Sequence, residues 1–297
     1  MPDKQDNPTI LVEGTSLWYD AWKRLRRNRM SVVSAVVILL LIGASSLGPA
    51  VIETTWGYRS DQQDLRYGAQ PPSSQHWFGT DYFGRDLLIR SLEGTRISLL
   101  VGLMAATVSA TVGTIYGAIA GYSGGRVDAI MMRIVDILYS LPYMFLVIVL
   151  VTIFGRQILL IFVALGLVGW LMTARIVRGQ VLSLKERDFV RAAKSVGVGS
   201  TGIVFRHLIP NTLGPIIVYF TLTVPTMILQ EAFLSFLGLG VQEPGSSLGS
   251  LINDGAMHMV VFWWELVFPG ALLGILLFSL NFLGDGLRDA LDPQMKS

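Results

Sequence analysis

Polar and apolar residues are not interleaved along this chain; they come in blocks. Six blocks are long and apolar enough to cross a bilayer, which takes roughly 20 residues at 1.5 Å rise each. Residues 31–52 carry no charge, and neither do residues 97–122, which Gly124-Gly125 closes. The run 130–154 is apolar apart from Arg133 and Asp136 near its start. A shorter uncharged run, 158–174, lies between Arg156 and Arg175. The last two, 213–239 and 260–283, carry one acid each, Glu231 and Glu265. The pattern predicts an all-α polytopic membrane protein with six transmembrane helices. The first run starts too far into the chain, and runs too long, for a cleaved leader, so it is expected to be a retained anchor.

Basic residues flanking the spans set the expected orientation, because Lys and Arg resist translocation. Lys23, Arg24, Arg26, Arg27 and Arg29 precede the first span, and seven more bases from Arg175 to Arg206 lie between the fourth and fifth. Both clusters fall inside if the N-terminus and C-terminus are cytoplasmic. Residues 241–259, placed outside, have no Lys or Arg. One segment disagrees: residues 53–96 fall outside yet hold Arg59, Arg66, Arg85, Arg90 and Arg96. The expected organisation is a cytoplasmic segment 1–30, a membrane domain 31–283 with an outer loop 53–96 and a cytoplasmic loop 175–211, and a cytoplasmic tail 284–297.

Between the fourth and fifth spans the period changes. The stretch from Ser183 to Asn211 is too polar to cross a membrane, yet Phe189, Ala192, Ala193 and Val196 recur at helical spacing. Gly197 and Gly199 interrupt it, a second short amphipathic run covers 203–209, and Pro210 suits the first turn of the following span. From spacing alone this is either a helix pair lying on the inner leaflet or a surface for a partner.

Composition narrows the class. Of 297 residues, 52% are hydrophobic and only 15% charged, against about 25% in soluble domains; the mean hydropathy is +0.55. With no cysteine there is no disulfide frame, thiolate nucleophile or cysteine-ligated metal. His76, His207 and His258 are far apart, so no metal site is expected, and a net charge of +2 does not suit a nucleic-acid binder. No phosphate-binding G-x-x-x-x-G-K-[ST] loop is present, so the chain has no visible means of using ATP itself.

The 183–211 stretch resembles the "EAA" loop of the membrane subunits of ATP-binding-cassette importers. It matches at Ala192, Ala193, Gly197 and Pro210, and departs at Arg191, where Glu is frequent, at His207 and at Ile209. The resemblance extends to Phe78-Gly-Thr-Asp-Tyr-Phe-Gly-Arg-Asp86, Phe233-Leu-Ser-Phe-Leu-Gly-Leu-Gly240 and Gly284-Asp-Gly-Leu-Arg-Asp-Ala-Leu-Asp-Pro293, which look like the peptide and nickel importer branch. Within it, Ser16-Leu-Trp18, the 177–185 stretch and the 206–211 stretch look closest to the C-type permeases of oligopeptide importers. The resemblance implies the MetI-like permease fold in a bacterial inner membrane. It implies a pore shared with a homologous permease subunit, two ATPase subunits on the inner side, a peptide-binding protein outside and a peptide as substrate. ATP and magnesium are then used by the ATPases, with no cofactor, metal or catalytic residue on this chain. Ala192, Ala193 and Gly197 transmit the motion in that picture, and with Arg191 replacing the usual acid, Glu186 and Asp188 are the acidic candidates for the docking contact. Dipeptide or nickel importers of the same family are the alternatives. An ATP-independent carrier and a non-transporting scaffold are rivals from other classes.

Remaining features concern packing and the membrane. Gly113, Gly117 and Gly121 lie four apart and form one small-residue ridge, fit for close helix contact in lipid or for a moving gate. Glu231 lies inside a span, where a charge is costly unless paired, protonated or wet, so it is a candidate for a pathway or outer gate, with a structural role as the plainer reading. Arg133 and Asp136 are spaced to pair on one helix face. Trp263 and Trp264 sit where an aromatic belt is expected.

Overall fold

The computed structural model describes residues 17–155 and 157–291; Ser16, Arg156 and the Asp292-Pro293 pair lie outside them, as does the Trp18 side chain. A short basic helix, α1 (Leu17–Arg27), ends at Asn28, whose side chain caps α2 (Arg29–Trp56) by accepting from the Ser31 N–H. Gly57, at φ +73°, closes α2 in the left-handed conformation that costs glycine least. The outward side of α2, including Leu39, Leu40 and Leu47, is bare, as a lipid-facing surface is.

Asp86 caps α3 (Leu87–Ser123), whose 37 residues make a rod of about 55 Å, far longer than a bilayer core. Its first ten residues are too polar to count as span, which is why apolar length alone starts it at 97. The third block is not one straight helix. It is split into α4 (Gly125–Ser140) and α5 (Tyr143–Phe154), bent by 86°. Pro142 has no N–H to give and pushes Leu141 into extended backbone at ψ 144°, so the helix cannot continue.

α6 (Ile158–Leu184) lies backbone to backbone on α3. A Cβ on Gly113 falls 2.5 Å from Thr173 Cβ, on Gly117 2.3 Å from the Ala174 carbonyl oxygen, and on Gly121 2.9 Å from that of Arg178. From the other side, a Cβ on Gly166 meets Val108 at 2.5 Å. Gly270 and Gly274, a weaker repeat of the same spacing, meet nothing within 4 Å.

After α6 comes α7 (Asp188–Ser195), followed by short helical turns to Asn211, then α8 (Leu213–Phe236), α9 (Leu248–His258) and α10 (Trp263–Leu291). The core is built from α3, α5, α6, α8 and α10, around Val101, Ala105, Leu165, Ile228 and Leu276. α9 was not expected: only 11 residues long and polar in part, it falls below any span test, and its capping box uses Ser247 with Ser250 rather than an acid. Two glycines let it nestle, since a Cβ on Gly249 meets Ala232 Cα at 2.4 Å and one on Gly255 meets the Glu265 backbone at 2.5 Å.

The segment between α2 and α3 folds as a small domain on the same end as α9. Thr80 Oγ1 donates to the Gly68 carbonyl at 2.7 Å and accepts from the Gln70 N–H, and His76 Nδ1 lies 2.7 Å from Asp86. Two of its five arginines are neutralised here. Arg85 Nε donates to Asp81 at 2.7 Å and its Nη1 to Glu243 at 2.8 Å, while Arg90 donates to Asp81. Their charge is cancelled within the fold. Trp264 corrects another expectation: it is buried, with Nε1 donating to the Thr80 carbonyl at 3.0 Å, so it is a strut between α10 and this loop rather than a belt residue. Trp263 is the exposed one of the pair.

The tight α3–α6 contact predicts opposite signs for two similar substitutions. Gly117→Ala forces a methyl into a backbone oxygen and lowers stability by about 1–3 kcal/mol. Gly274→Ala, in open space, changes it by less than about 1 kcal/mol and in the stabilising direction. Unfolding of the purified chain by SDS titration in mixed micelles reads both.

Candidate functional site

The segment joining α6 to α8 begins later than its charge suggests. α6 runs on to Leu184, and three bases at its end face other helices. Arg178 grips Asp128 of α4 with two bonds of 2.5 and 2.6 Å, Arg175 donates to Asp136 at 2.9 Å, and Lys185 Nζ donates to the Gly121 carbonyl at 3.2 Å. Asp136 is therefore paired with Arg175 across helices, not with Arg133 on its own face. Interhelical partners win because α4 and α6 cross here, and Arg175 also lies 4.4 Å over the Tyr139 ring.

α7 then sits on the ends of α3 and α6. Its buried positions are Val190 and Ala193, and Val190 joins Ile203, Val204 and Leu208 in one cluster with Ala118, Val177 and Val181. This rotates the helix relative to the apolar stripe expected from spacing. Phe189, Ala192 and Val196 point away from the protein, Val196 being 84% exposed. A helix of eight residues has only two buried positions to offer, and the broader stripe is left bare. Glu186, Asp188 and Arg191 are exposed around it.

Gly197 ends α7 at φ +85°, where its N–H donates to the Lys194 carbonyl and the Val198 N–H donates to that of Ala193. These two bonds form a Schellman closure, which needs the left-handed backbone that glycine adopts freely. Ile203–Leu208 forms a π-helical turn that keeps Ile203, Val204 and Leu208 inward and Phe205 outward. Pro210 lies in the next short turn, Ile209–Asn211, one residue-turn ahead of α8 rather than at its first position.

Glu231 lines neither of the two cavities described below. It is 0% exposed, accepting from Ser98 Oγ at 3.1 Å and from Ser235 Oγ at 2.7 Å. Ser98 Oγ in turn accepts from the Leu248 N–H at the start of α9, and Ser235 and Ser247 hydroxyls lie 3.2 Å apart. The acid thus knots α3, α8 and α9 together, which corrects the expectation of a water-filled pathway at this residue. Gly113, Gly117 and Gly121 are placed in the α3–α6 contact.

The structure instead opens a cavity of about 510 Å3 at the α4–α5 bend, between α6 and α8. Tyr143 donates to Gln230 at 2.6 Å across it. The lining is apolar with a few neutral polar groups and, among the described residues, no charged side chain. Its signal was present in the sequence. Tyr219, Thr223, Thr226 and Gln230 recur at spacings of four, three and four, one polar face on an otherwise apolar helix, and Pro142 marks the bend. A second cavity, of about 370 Å3, lies under α9 among Asp81, Arg85, Arg90, Glu243, Asp254 and Glu265. Its components are separated by up to 184 residues, so no local pattern announces it.

Comparison with known proteins adds names to this geometry. The profile of the family described as "Binding-protein-dependent transport system inner membrane component" matches residues 113–297. That of the "N-terminal TM domain of oligopeptide transport permease C" matches residues 16–72. The oligopeptide transport system permease protein OppC of Escherichia coli K12 is 55% identical over 288 residues, covering 95% of this chain and 93% of that protein. OppC of Haemophilus influenzae is 52% identical, covering 95% and 90%. The dipeptide transport system permease protein DppC of Bacillus subtilis is 46% identical, covering 96% and 89%. Among solved structures, an inward-facing MetNI methionine ABC transporter chain superposes with a TM-score of 0.55 at 19% identity, covering 69% of this chain and 96% of that one, a likeness of fold.

The knot around Glu231 makes a separable prediction. Glu231→Ala strands the Ser98 and Ser235 hydroxyls, leaves a void, and costs about 2–4 kcal/mol. Glu231→Gln keeps an acceptor oxygen and the volume, and retains most of that stability. SDS titration, together with protease sensitivity of the 240–262 stretch, distinguishes the two.

Proposed function

The chain belongs to the family of binding-protein-dependent transport system inner membrane components, and on that premise we propose that it is the C-type permease subunit of an oligopeptide importer powered by ATP. The observation that carries the reading is α7. Val190 ties this short helix to the 203–208 turn, in one buried cluster with Ala118 of α3 and Val177 and Val181 of α6, while Phe189, Ala192 and Val196 are left uncovered. Exposed apolar residues grouped on a rigid mount are a place for another protein. Two ATPase subunits that hold ATP and magnesium are the proposed occupants of this end, one on this chain and one on a homologous permease completing the pore.

Force applied at α7 reaches the cavity through one rigid element. Val177 and Val181 of α6 form the seat of α7, and Met172 and Thr173, a turn or two along, form the cavity wall. Displacing the seat moves the wall. In this reading ATP binding draws the two α7 segments together and reopens the cavity to the far side, and a binding protein delivers the peptide there. This chain makes and breaks no covalent bond and holds no cofactor.

The neutral lining suits the substrate class. Peptides share an amide backbone and differ in side-chain charge, so a path with Tyr143, Thr173 and Gln230 but no fixed charge discriminates little among them. The 46% identity to a dipeptide permease keeps dipeptides as a second reading; selection by length then rests with the binding protein. A nickel importer is less well served, since among the described residues no carboxylate or imidazole lines this cavity. The burial of Glu231 among serines weighs against a proton-coupled carrier. For sidedness, the N-terminus, α7 and the C-terminus are proposed to face the cytoplasm.

Two experiments test this. Val196→Asp changes an exposed residue and leaves folding intact, but loses co-purification with the ATPases and reduces ATP-dependent peptide uptake in proteoliposomes at least about ten-fold, the effect of about 1.4 kcal/mol or more at the contact. Uptake that persists without ATPases overturns the reading. Because the chain has no cysteine, Ser200→Cys is a unique label; an impermeant maleimide is expected to reach it in inverted vesicles and not in intact cells.

A further inference from the structure

The charges around the 370 Å3 cavity under α9 fall into two groups. Asp81, Arg85, Arg90 and Glu243 cancel one another through the ion pairs already described. Glu265 and Asp254 stand outside that set: Glu265 has only His258 beside it, and Asp254 feels Arg90 and Arg85 without a direct ion pair. Glu265 is 2% exposed at the cavity wall, and its Oε1 has no hydrogen-bond partner among the described residues. His258 Nδ1 comes within 3.4 Å of the other oxygen, Oε2, but makes no hydrogen bond either. Asp254, exposed toward the mouth, takes no part in the ion pairs of this region. A buried carboxylate oxygen without a donor costs free energy that a cation recovers on arrival.

The mouth describes what carries that cation. Tyr82, stacked 5.2 Å from His258, stands beside the acids, and Phe83 already carries the Arg85 guanidinium 4.7 Å over its ring, so the aromatic rim here is one that accommodates cationic groups. Beyond them Met257, Met259, Val260 and Val261 form an exposed apolar shelf, and no Lys or Arg occurs from 241 to 262. An acidic hole with an aromatic rim and an apolar surround complements a basic side chain rooted in a larger surface, rather than a free ion.

We infer that this cavity is a socket for one lysine or arginine side chain presented by a polypeptide that docks over α9. The inference rests on the importer reading only for the presence of a polypeptide partner at this end; the socket's chemistry belongs to the chain itself.

The full-length Met257→Cys chain in lipid nanodiscs tests it, the cysteine standing at the mouth as the chain's only thiol. N-acetylarginine amide at about 50 mM is expected to slow modification by N-ethylmaleimide about five-fold, as a ligand of roughly 10 mM affinity does. N-acetylnorleucine amide is expected to leave the rate unchanged. The protection is expected to vanish in Met257→Cys/Glu265→Gln, and to weaken in Met257→Cys/Asp254→Asn, which keeps the test alive if the first double variant fails to insert. Equal protection by the norleucine compound, no protection by either, or protection that survives loss of the acids overturns the socket. Equal protection by methylguanidinium at the same concentration overturns the docked side chain in favour of a free cation. None of these readouts involves uptake or ATPase binding, so their failure leaves the importer reading standing, and failure of that reading leaves them interpretable.

Discussion

Everything in this molecule hangs from the line where α3 and α6 touch without side chains between them. In lipid, apolar residues gain nothing by leaving the solvent, so helices are held by close packing and by polar links. Gly113, Gly117, Gly121 and Gly166 bring the two backbones into that range. Once α6 is fixed on α3, Arg178 can reach Asp128, Lys185 can reach the Gly121 carbonyl, and Ala118 with Val177 and Val181 makes the seat for α7. The cavity wall follows from the same placement, because Met172 and Thr173 lie on α6 just beyond the contact.

Charge handling follows a second constraint. Groups removed from water must find partners inside the fold. Asp128 has Arg178, Asp81 has two arginines, and Glu231 has two serine hydroxyls, one of them bound by the first amide of α9. A bare count of arginines therefore overstates the free positive charge of the 53–96 segment. The rule that basic residues stay inside concerns free charge on short loops, and Arg85 and Arg90 are neutralised by Asp81 and by Glu243, which lies more than 150 residues away in the chain.

Much of the fold was legible because bilayer thickness and the helical period are local properties. Six apolar blocks correspond to α2, α3, the α4–α5 pair, α6, α8 and α10. The break at Gly197 was legible for the same reason, a glycine just past the last turn of a short helix. The misreadings all involve long-range partners. Pro142 signals a break, but an 86° bend depends on what α5 packs against. The helical spacing of Phe189, Ala192, Ala193 and Val196 was legible, but which face is buried was not, since Val190 is covered by a cluster that includes Ile203 and Val177. Trp264 and Glu231 carry the composition of a belt residue and a pathway acid, yet Thr80 and Ser98 claim them. The polar face on α8 from Tyr219 to Gln230 was readable at helical spacing, and only attention to charge drew the eye to Glu231 one residue further on.

In the proposed reading the two cavities divide the work of recognition along physical lines. A translocation path that must pass many peptides gains by being neutral, since any fixed charge binds one class of side chain tightly and repels another, slowing both. A docking surface has the opposite need. It must hold one partner in one register, and a charge sunk in a low-dielectric wall discriminates strongly because the wrong group leaves it unpaired. The structure places no charged side chain, among the described residues, on the cavity at the α4–α5 bend, and gathers six acidic and basic side chains around the one beneath α9. Glu231 lies between these regions with both oxygens occupied, so the acid that composition singles out is the one least able to serve either.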